Sequence, residues 1–254
     1  MTAPGCAGCH NADASAFSIP FTMAFQPIVD VGASSIWGYE ALVRGVAGEG
    51  AYQVISQVTD QNRYAFDQAC RVKAIELAGV GIAEGDAKLS INFMPNAVYE
   101  PKACIRATLD AASRMQFDPT RLMFEFTENE RMEDVAHVSH IITEYRRMGF
   151  TTALDDFGAG YAGLALLARF QTDLIKLDME LLRDVDTSSV KQVIVRGIVG
   201  IAAELGITLL AEGVETKAEM DVLKAAGIRL FQGYYFARPV VEKFQSYDEL
   251  GQAA

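Results

Sequence analysis

The sequence lacks an apolar run long enough to cross a membrane. Charged residues interrupt every apolar stretch well short of the ~18 residues that a membrane-spanning helix needs. It also lacks a basic segment followed by an apolar one within residues 1–18, so we expect no secretory signal and a cytoplasmic protein. The four cysteines are then expected to stay reduced.

Positive charge is also scarce in this chain. Only 22 lysines and arginines stand against 33 aspartates and glutamates, which gives a formal net charge of -11. Proteins that bind polymeric nucleic acid neutralise phosphates with basic side chains, so this chain is not expected to bind DNA or RNA. A small phosphate compound is still compatible with the composition, because bound metal ions can reverse the local field.

The order of apolar runs and helical stretches indicates the fold class. Residues 1–18 are small and polar and are expected to form a short tail, whereas residues 19–254 are expected to form one barrel domain. Predicted strands cover 24–30, 35–43, 88–93, 122–126, 151–154, 174–177, 207–211 and 228–231, and predicted helices cover 61–77, 105–115, 135–148, 163–168, 190–205 and 217–226. Strands that alternate with helices pair in parallel, which predicts a TIM-like (β/α)8 barrel. Because no helix is predicted between the first two strands, one early strand is expected to run antiparallel.

Polar residues of one chemical kind end five of the predicted strands or follow them directly. They are Asn92, Glu125, the pair Asp155-Asp156, Lys176 and Glu212. The carboxyl ends of barrel strands meet at one mouth, where oxygen ligands of this kind suit Mg²⁺ or Mn²⁺. A single carboxylate at a strand end is more commonly a helix cap or a solvated loop residue. The whole set, with paired aspartates followed by Phe-Gly-Ala-Gly, favours a site for two metals with one aspartate bridging.

Further motifs stand in one order along the chain. They are Phe25-Gln26-Pro27-Ile28, Glu40-Ala41-Leu42 with Arg44, Ser-Ile-Asn92-Phe, Phe-Glu125-Phe-Thr-Glu128, Asp155-Asp156-Phe-Gly-Ala-Gly-Tyr161, Ile-Lys176-Leu-Asp, Ala-Glu212-Gly-Val-Glu215-Thr and Gln232-Gly-Tyr. In this order, and over about residues 21–239, the chain resembles the EAL-domain phosphodiesterases that act on cyclic di-GMP. Each tripeptide alone carries no information, whereas the ordered set is specific.

The resemblance implies a metal-dependent hydrolase that converts cyclic di-GMP to linear pGpG with Mg²⁺ or Mn²⁺, two ions per site. By resemblance, the first metal would be held by Glu40, Asn92, Glu125 and Asp155, and the second metal or its water by Asp155, Asp156 and Glu212. Lys176 would hold the attacking water, with Glu40 and Glu212 as further catalytic residues. Substrate contacts would come from Gln26, Leu42, Arg44, Phe236 and Pro239, and supporting roles would fall to Glu128, Glu215 and Gln232.

The resemblance also implies a homodimer, and a separate regulatory partner is a further possibility because no sensor domain is evident. Some positions depart from the family pattern. Gly45 replaces a common tryptophan, Ala159 a common threonine, and Ala162 and Gly163 the usual serines. These changes leave open the rate and the coupling between subunits. The alternative function is a degenerate EAL domain that acts as a cyclic-di-GMP receptor or a protein-interaction module without hydrolysis.

The tail carries a separate pattern, Cys6-Ala-Gly-Cys9-His10, which matches the attachment motif of c-type haem. Haem attachment of this kind normally requires export, and no export signal is expected. We therefore expect no haem. A passive tail is favoured over a metal site or a redox switch.

Overall fold

Nine strands form one sheet that closes on itself in the computed structural model, which describes residues 19–94, 98, 100–127, 135–160 and 163–250. The strands are β1 (Phe21–Asp30), β2 (Ser35–Gly45), β3 (Lys88–Asn92), β4 (Leu122–Thr127), β5 (Thr151–Phe157), β6 (Leu174–Leu177), β7 (Thr208–Ala211), β8 (Leu230–Phe231) and β9 (Val240–Val241). The helices are α1 (Ala51–Ile55), α2 (Arg63–Gly81), α3 (Pro101–Cys104), α4 (Arg106–Arg114), α5 (Val135–Arg147), α6 (Gly163–Leu167), α7 (Met179–Leu182), α8 (Ser189–Leu205) and α9 (Lys217–Ala225).

The strand order confirms the predicted barrel. The sheet runs β2-β3-β4-β5-β6-β7-β8-β1-β9, and a further pairing of β2 with β1 closes it. Strands β2 to β8 pair in parallel, whereas β1 is antiparallel to both β2 and β8. The early antiparallel strand is therefore β1. It is joined to β2 by a tight turn in which no crossover helix is needed.

The sequence prediction missed four short elements, namely α1, α3, α7 and β9. Each has five residues or fewer. Such segments are shorter than the window over which helical or strand periodicity becomes visible. The longer helices were found, although α2 begins two residues later and ends four residues later than predicted. None of the helices within the described ranges combines the length and the apolarity that a membrane crossing requires.

An apolar layer fills the barrel interior below its carboxyl end. We call it the floor, and it consists of Ile28, Met123, Ala153, Leu174, Leu210 and Leu230. Each of these residues is at most 4% exposed, and each comes from a different strand. In β2 and β3 the corresponding positions are held by Gly38 and Ser90, which are also buried. Layers of side chains from successive strands are the usual filling of such a barrel.

The carboxyl-terminal segment covers the outside of the β1–β2 pair. The Phe244 ring stacks on Phe25 at 4.0 Å between centroids and meets Tyr39 edge-on at 5.1 Å. The Tyr39 hydroxyl donates a hydrogen bond to the Gln245 carbonyl at 2.9 Å. A Cβ on Gly81 of α2 would lie 2.1 Å from the Phe244 ring, so glycine is needed for this close approach. The segment thus occupies the face that a crossover helix between β1 and β2 would cover.

A candidate metal centre at the barrel mouth

Eight of the predicted site residues form one ring directly above the floor. Side chains two residues apart in a strand lie on the same face. The residue two positions from each floor residue, toward the mouth, therefore also faces the barrel interior. From the eight strands, the residues at these next positions, within a strand or directly after it, are Gln26, Glu40, Asn92, Glu125, Asp155, Lys176, Glu212 and Gln232. Since β1 is antiparallel, its member precedes the floor residue Ile28. The alternation of the barrel strands is therefore what brings these side chains together.

The Lys176 ammonium lies at the centre of this ring and is 1% exposed. Its Nζ atom lies 2.7 Å from Glu212 Oε1, 2.8 Å from Glu125 Oε2, 3.1 Å from Asp155 Oδ1 and 3.6 Å from Glu40 Oε2. Burial alone would lower the pKa of Lys176, but Asp155, Glu125, Glu212 and Glu40 together raise it well above its usual value. The lysine is consequently held as a cation.

Two overlapping groups of carboxylates can each hold a cation. Oxygens of Glu40, Glu125 and Asp155 lie within 4.8 Å of one another, and so do oxygens of Asp155, Asp156 and Glu212. Asp155 belongs to both groups, which suits a bridging ligand between two neighbouring ions. Glu125 Oε1 is buried without a hydrogen-bond partner among the described residues, so an acceptor is available for a metal ion there.

The charge of the ring together with the neighbouring Asp156 agrees with two divalent cations. Five carboxylates around one ammonium carry four formal negative charges, which two such ions would neutralise. Burial raises the pKa of the Glu125 carboxyl to about 8, against the opposing effect of the Lys176 ammonium. Burial likewise raises the pKa of Glu212 well above its usual value. The cause in both cases is the cost of burying negative charge that lacks sufficient positive charge beside it. The oxygen-only set of ligands fits Mg²⁺ or Mn²⁺.

Amide side chains orient the Glu40 carboxylate. Asn92 Nδ2 donates to Glu40 Oε1 at 3.1 Å, and Gln232 Nε2 donates to Glu40 Oε2 at 2.7 Å. Gln232 Nε2 also lies 3.2 Å from Gln26 Oε1, while Gln26 Nε2 donates to the Ala237 carbonyl at 3.0 Å. This arrangement connects β1, β2, β3 and the segment after β8. It fixes both oxygens of Glu40 relative to Lys176.

A bulge at the end of β5 directs two successive carboxylates into the mouth. In a regular strand, Asp155 and Asp156 would point to opposite faces. Here the pairing with β6 shifts register between Leu154 and Phe157, and Asp156 has a left-handed backbone with φ of 56°. The Asp156 amide donates to Asp155 Oδ1 at 2.9 Å. Burial, with the charges of Asp155 and Asp178, raises the pKa of Asp156 to about 6. Such bulges and strained residues are frequent beside active sites.

Two cavities reach the ring. One has a volume of about 330 Å³ and is lined by polar residues that include Gln26, Glu212, Gln232 and Asp156, with Tyr234 also in its wall. The other has a volume of about 560 Å³, is mostly apolar and extends past Leu42 and Asn92 to Phe66 on α2. The polar cavity is thus lined by several members of the ring, whereas the apolar cavity reaches the ring at Asn92.

The remaining predicted substrate residues lie in different surroundings. Leu42 and Arg44 are on the same face of β2 as Glu40, further out from the floor, and Arg44 Nη1 donates to the Val43 carbonyl at 2.7 Å. Pro239 is half-buried and lines neither cavity. For Phe236 the place beside the substrate stays a prediction, and its ring is 4% exposed here. It packs in the core against Phe231 and Tyr235.

The supporting residues are placed as follows. Gln232 contacts Glu40, as described above. Glu215 forms a two-pronged ion pair with Arg183, a residue that the sequence analysis did not single out. No motif marked Arg183, since the pairing joins loops that are 32 residues apart. Glu128, Tyr161 and Ala162 lie outside the described residues, as do Cys6, Cys9 and His10 of the tail.

Comparisons with known proteins agree with this geometry. The family model described as EAL domain matches residues 18–239. The antirepressor BluF of Escherichia coli, described as blue light- and temperature-regulated, is 33% identical over 85% of this chain and 53% of its own length. Cyclic di-GMP phosphodiesterase PA2567 of Pseudomonas aeruginosa is 28% identical over 87% of this chain and 38% of its own length. The chain thus spans about half or less of these curated relatives.

Two solved structures show the same fold. A standalone versatile EAL protein from Vibrio cholerae O395, in its cyclic-di-GMP-bound form, has a TM-score of 0.89 and 52% identity, over 94% of this chain and 98% of that one. Klebsiella pneumoniae BlrP1, in a complex with manganese and cyclic di-GMP, has a TM-score of 0.84 and 36% identity, over 91% of this chain and 58% of that one. With the family model covering most of its length, this chain belongs to the EAL domain family.

Proposed function

We propose that this protein is a metal-dependent phosphodiesterase that hydrolyses cyclic di-GMP to linear pGpG. The observation that carries the proposal is the sharing of Asp155 between two carboxylate groups beside a buried lysine. Related structures that hold cyclic di-GMP with manganese support the same substrate and metal class. All residue types expected for hydrolysis are present in the ring.

Each metal position has its own set of ligands in this proposal. Glu40, Asn92, Glu125 and Asp155 would hold the first ion, and Asp155, Asp156 and Glu212 the second. When bound, Mg²⁺ or Mn²⁺ supplies Lewis acidity at the phosphoryl oxygen and acidifies a coordinated water. Asn92 now donates to Glu40 through its Nδ2 atom, which leaves its carbonyl oxygen as the ligand.

Lys176 would hold the nucleophilic water in line with the scissile phosphate. Its ammonium donates hydrogen bonds and lies within 3.1 Å of oxygens from Glu125, Asp155 and Glu212. A water bound between these residues is therefore oriented by a rigid donor rather than by solvent. Arg44, further out on β2, would contact the second phosphate through its guanidinium.

The two cavities would take the two guanine bases. The polar cavity of about 330 Å³ offers amide and carboxylate groups to a base edge, whereas the apolar cavity of about 560 Å³ offers mainly packing surface. Glu40 lines the polar cavity and Leu42 the apolar one, so the phosphodiester ring of a cyclic dinucleotide would rest over the metals with one base directed to each cavity.

A degenerate domain that acts as a cyclic-di-GMP receptor or a protein-interaction module without hydrolysis is the second candidate, and two observations favour it. The relative BluF is described as an antirepressor, and residues of the loop after Asp156 differ from the usual pattern. Incubating the purified protein with cyclic di-GMP and Mn²⁺, and separating the products by chromatography, distinguishes the two. Formation of pGpG that chelator abolishes supports the hydrolase, whereas tight binding with intact nucleotide supports the receptor.

We also propose a homodimer built on α8. Its outer face exposes Val190, Val193, Ile194, Ile201 and Leu205. Two antiparallel copies would place Val190 against Leu205 and Ile194 against Ile201, since both pairs are centred on the same point of the helix. Gly197 lies at that point with open space around it, which allows a close approach of the two backbones.

A further inference from the structure

The loops that follow β6 and β7 are joined by an ion pair of unusual geometry for a surface contact. Arg183, at the end of α7, places Nη2 2.8 Å from Glu215 Oε1 and Nη1 2.7 Å from Glu215 Oε2. Both prongs of the guanidinium are thus used. β6 supplies Lys176, and β7 leads directly to Glu212. The Arg183–Glu215 pair therefore links the two strand ends whose side chains, Lys176 and Glu212, lie 2.7 Å apart in the ring.

A second carboxylate, that of Glu219, also joins the two loops. Glu219 of α9 is 3% exposed. Its Oε1 accepts from the Asp184 amide at 3.1 Å, and its Oε2 accepts from the Glu215 and Thr216 amides at 3.0 and 3.1 Å. One buried side chain therefore holds backbone groups from both loops. Asp184 has a left-handed backbone with φ of 57°, which aims its amide at Glu219.

Two further contacts hold the loops that carry Arg183 and Glu215. Lys191 of α8 donates to the carbonyls of Glu180 and Arg183 at 2.8 and 2.6 Å, which anchors the backbone that carries the guanidinium. Gly213, directly after Glu212, has φ of 64°, and a Cβ there would lie 2.5 Å from Met179 Cβ. The two loops are therefore in direct contact beside the Glu212 carboxylate.

We propose that Arg183 is a positioning residue which, through Glu215, holds Glu212 in place as a ligand of the second metal ion. The inference rests on the metal centre of the proposed function. Glu212 follows β7 and lies outside any regular strand, so its loop must be fixed by contacts of its own. The two-pronged pair with Glu215, three residues away, reaches this loop from the β6 side, in addition to the contact of Lys176 with Glu212 and the bridging hydrogen bonds of Glu219.

The pair is suited to positioning rather than to global stability. The side chains of Arg183 and Glu215 are 29% and 44% exposed, and ion pairs at such positions contribute little to the free energy of unfolding. Their fixed geometry nevertheless orients the loop, because a guanidinium binds a carboxylate in one plane. A lysine at position 183 would keep the charge and lose the second prong.

The test is a titration of the metal-free protein with Mn²⁺ in the absence of nucleotide, followed by electron paramagnetic resonance and calorimetry. Wild-type protein is expected to bind two ions. Arg183→Met and Glu215→Gln are each expected to weaken the second binding event by about 10-fold, the usual scale for a residue that supports a ligand. The double variant should be no weaker than either single one, and Arg183→Lys should lie between wild type and Arg183→Met.

The matched control is Arg229→Met. Arg229 pairs with Asp30 at the far end of the barrel from the metal centre, at 2.9 Å. Its loss should leave both Mn²⁺ affinities unchanged. The inference is overturned if Arg183→Met binds both ions as wild type does, or if Arg229→Met weakens the second ion equally. Failure of the wild-type protein to bind Mn²⁺ would instead refute the proposed metal centre itself.

Discussion

Replacing Lys176 with methionine removes the ammonium and tests whether this group is needed for hydrolysis, for substrate binding or for both. Methionine keeps nearly the same length and volume, so the barrel interior stays filled while the ammonium is lost. The four carboxylates within 3.6 Å of Nζ then lose their only nearby cation among the described residues. We expect turnover of cyclic di-GMP to fall by about 100-fold or more, the scale for loss of an acid–base or orienting group.

The structure also predicts the effect on stability. Removing one partner from a buried ion pair costs about 3–5 kcal/mol, because the other charges stay buried without compensation. Metal-free Lys176→Met should therefore unfold at a markedly lower temperature than the metal-free wild type. Mn²⁺ should restore more stability to the variant than to the wild type, since the added cations take over the neutralising role of the ammonium.

Three measurements on the same variant complete the test. Chromatography with Mn²⁺ gives the turnover, calorimetry with Ca²⁺ gives the binding of cyclic di-GMP, and thermal denaturation gives the stability. Binding in Ca²⁺ should survive, because Arg44 and the metals hold the phosphates. Wild-type turnover in Lys176→Met would refute the catalytic role, and lost binding would show that Lys176 contacts the substrate instead.

The other predictions concern metal, packing, assembly and one cysteine. Hydrolysis should require Mg²⁺ or Mn²⁺ and be poor with Ca²⁺, whose longer bonds misplace the water, and activity in excess chelator would contradict this. Phe244→Ala should lower the free energy of unfolding by about 2 kcal/mol in urea titrations, with Tyr247→Ala nearly neutral as the control. Ile194→Glu should yield a monomer by light scattering, and a monomeric wild-type protein would refute the dimer. Burial raises the pKa of the Cys70 thiol, so this residue should react with a thiol reagent only after unfolding.

The sequence pattern predicted five members of the ring because they end apolar runs or follow them directly, whereas Gln26, Glu40 and Gln232 came from the resemblance. Glu125, Lys176 and Glu212 each follow an apolar run, and that pattern alone places them at the strand ends. The bulge that turns Asp155 and Asp156 to the same side has no local pattern of its own. It depends on the pairing of β5 with β6, which only the closed sheet defines.

Other features escaped prediction because they depend on long-range contacts. The Arg183–Glu215 pair joins separate loops, and the packing of Phe244 on Phe25 joins the two ends of the domain. The burial of Phe236 likewise depends on neighbouring rings and has no local pattern in the sequence. Short helices such as α1 and α7 are fixed by the turns of the barrel and are too brief to show a period.

The floor affects how ions and ligands enter and leave the barrel. Its six apolar side chains, each at most 4% exposed, lie between the ring and the opposite end of the barrel. We therefore expect an ion, a water molecule or a ligand to enter and leave the ring by the mouth. In the proposed hydrolysis, a new substrate would then have to wait for the product to leave, so product bound at the mouth is expected to slow the next cycle.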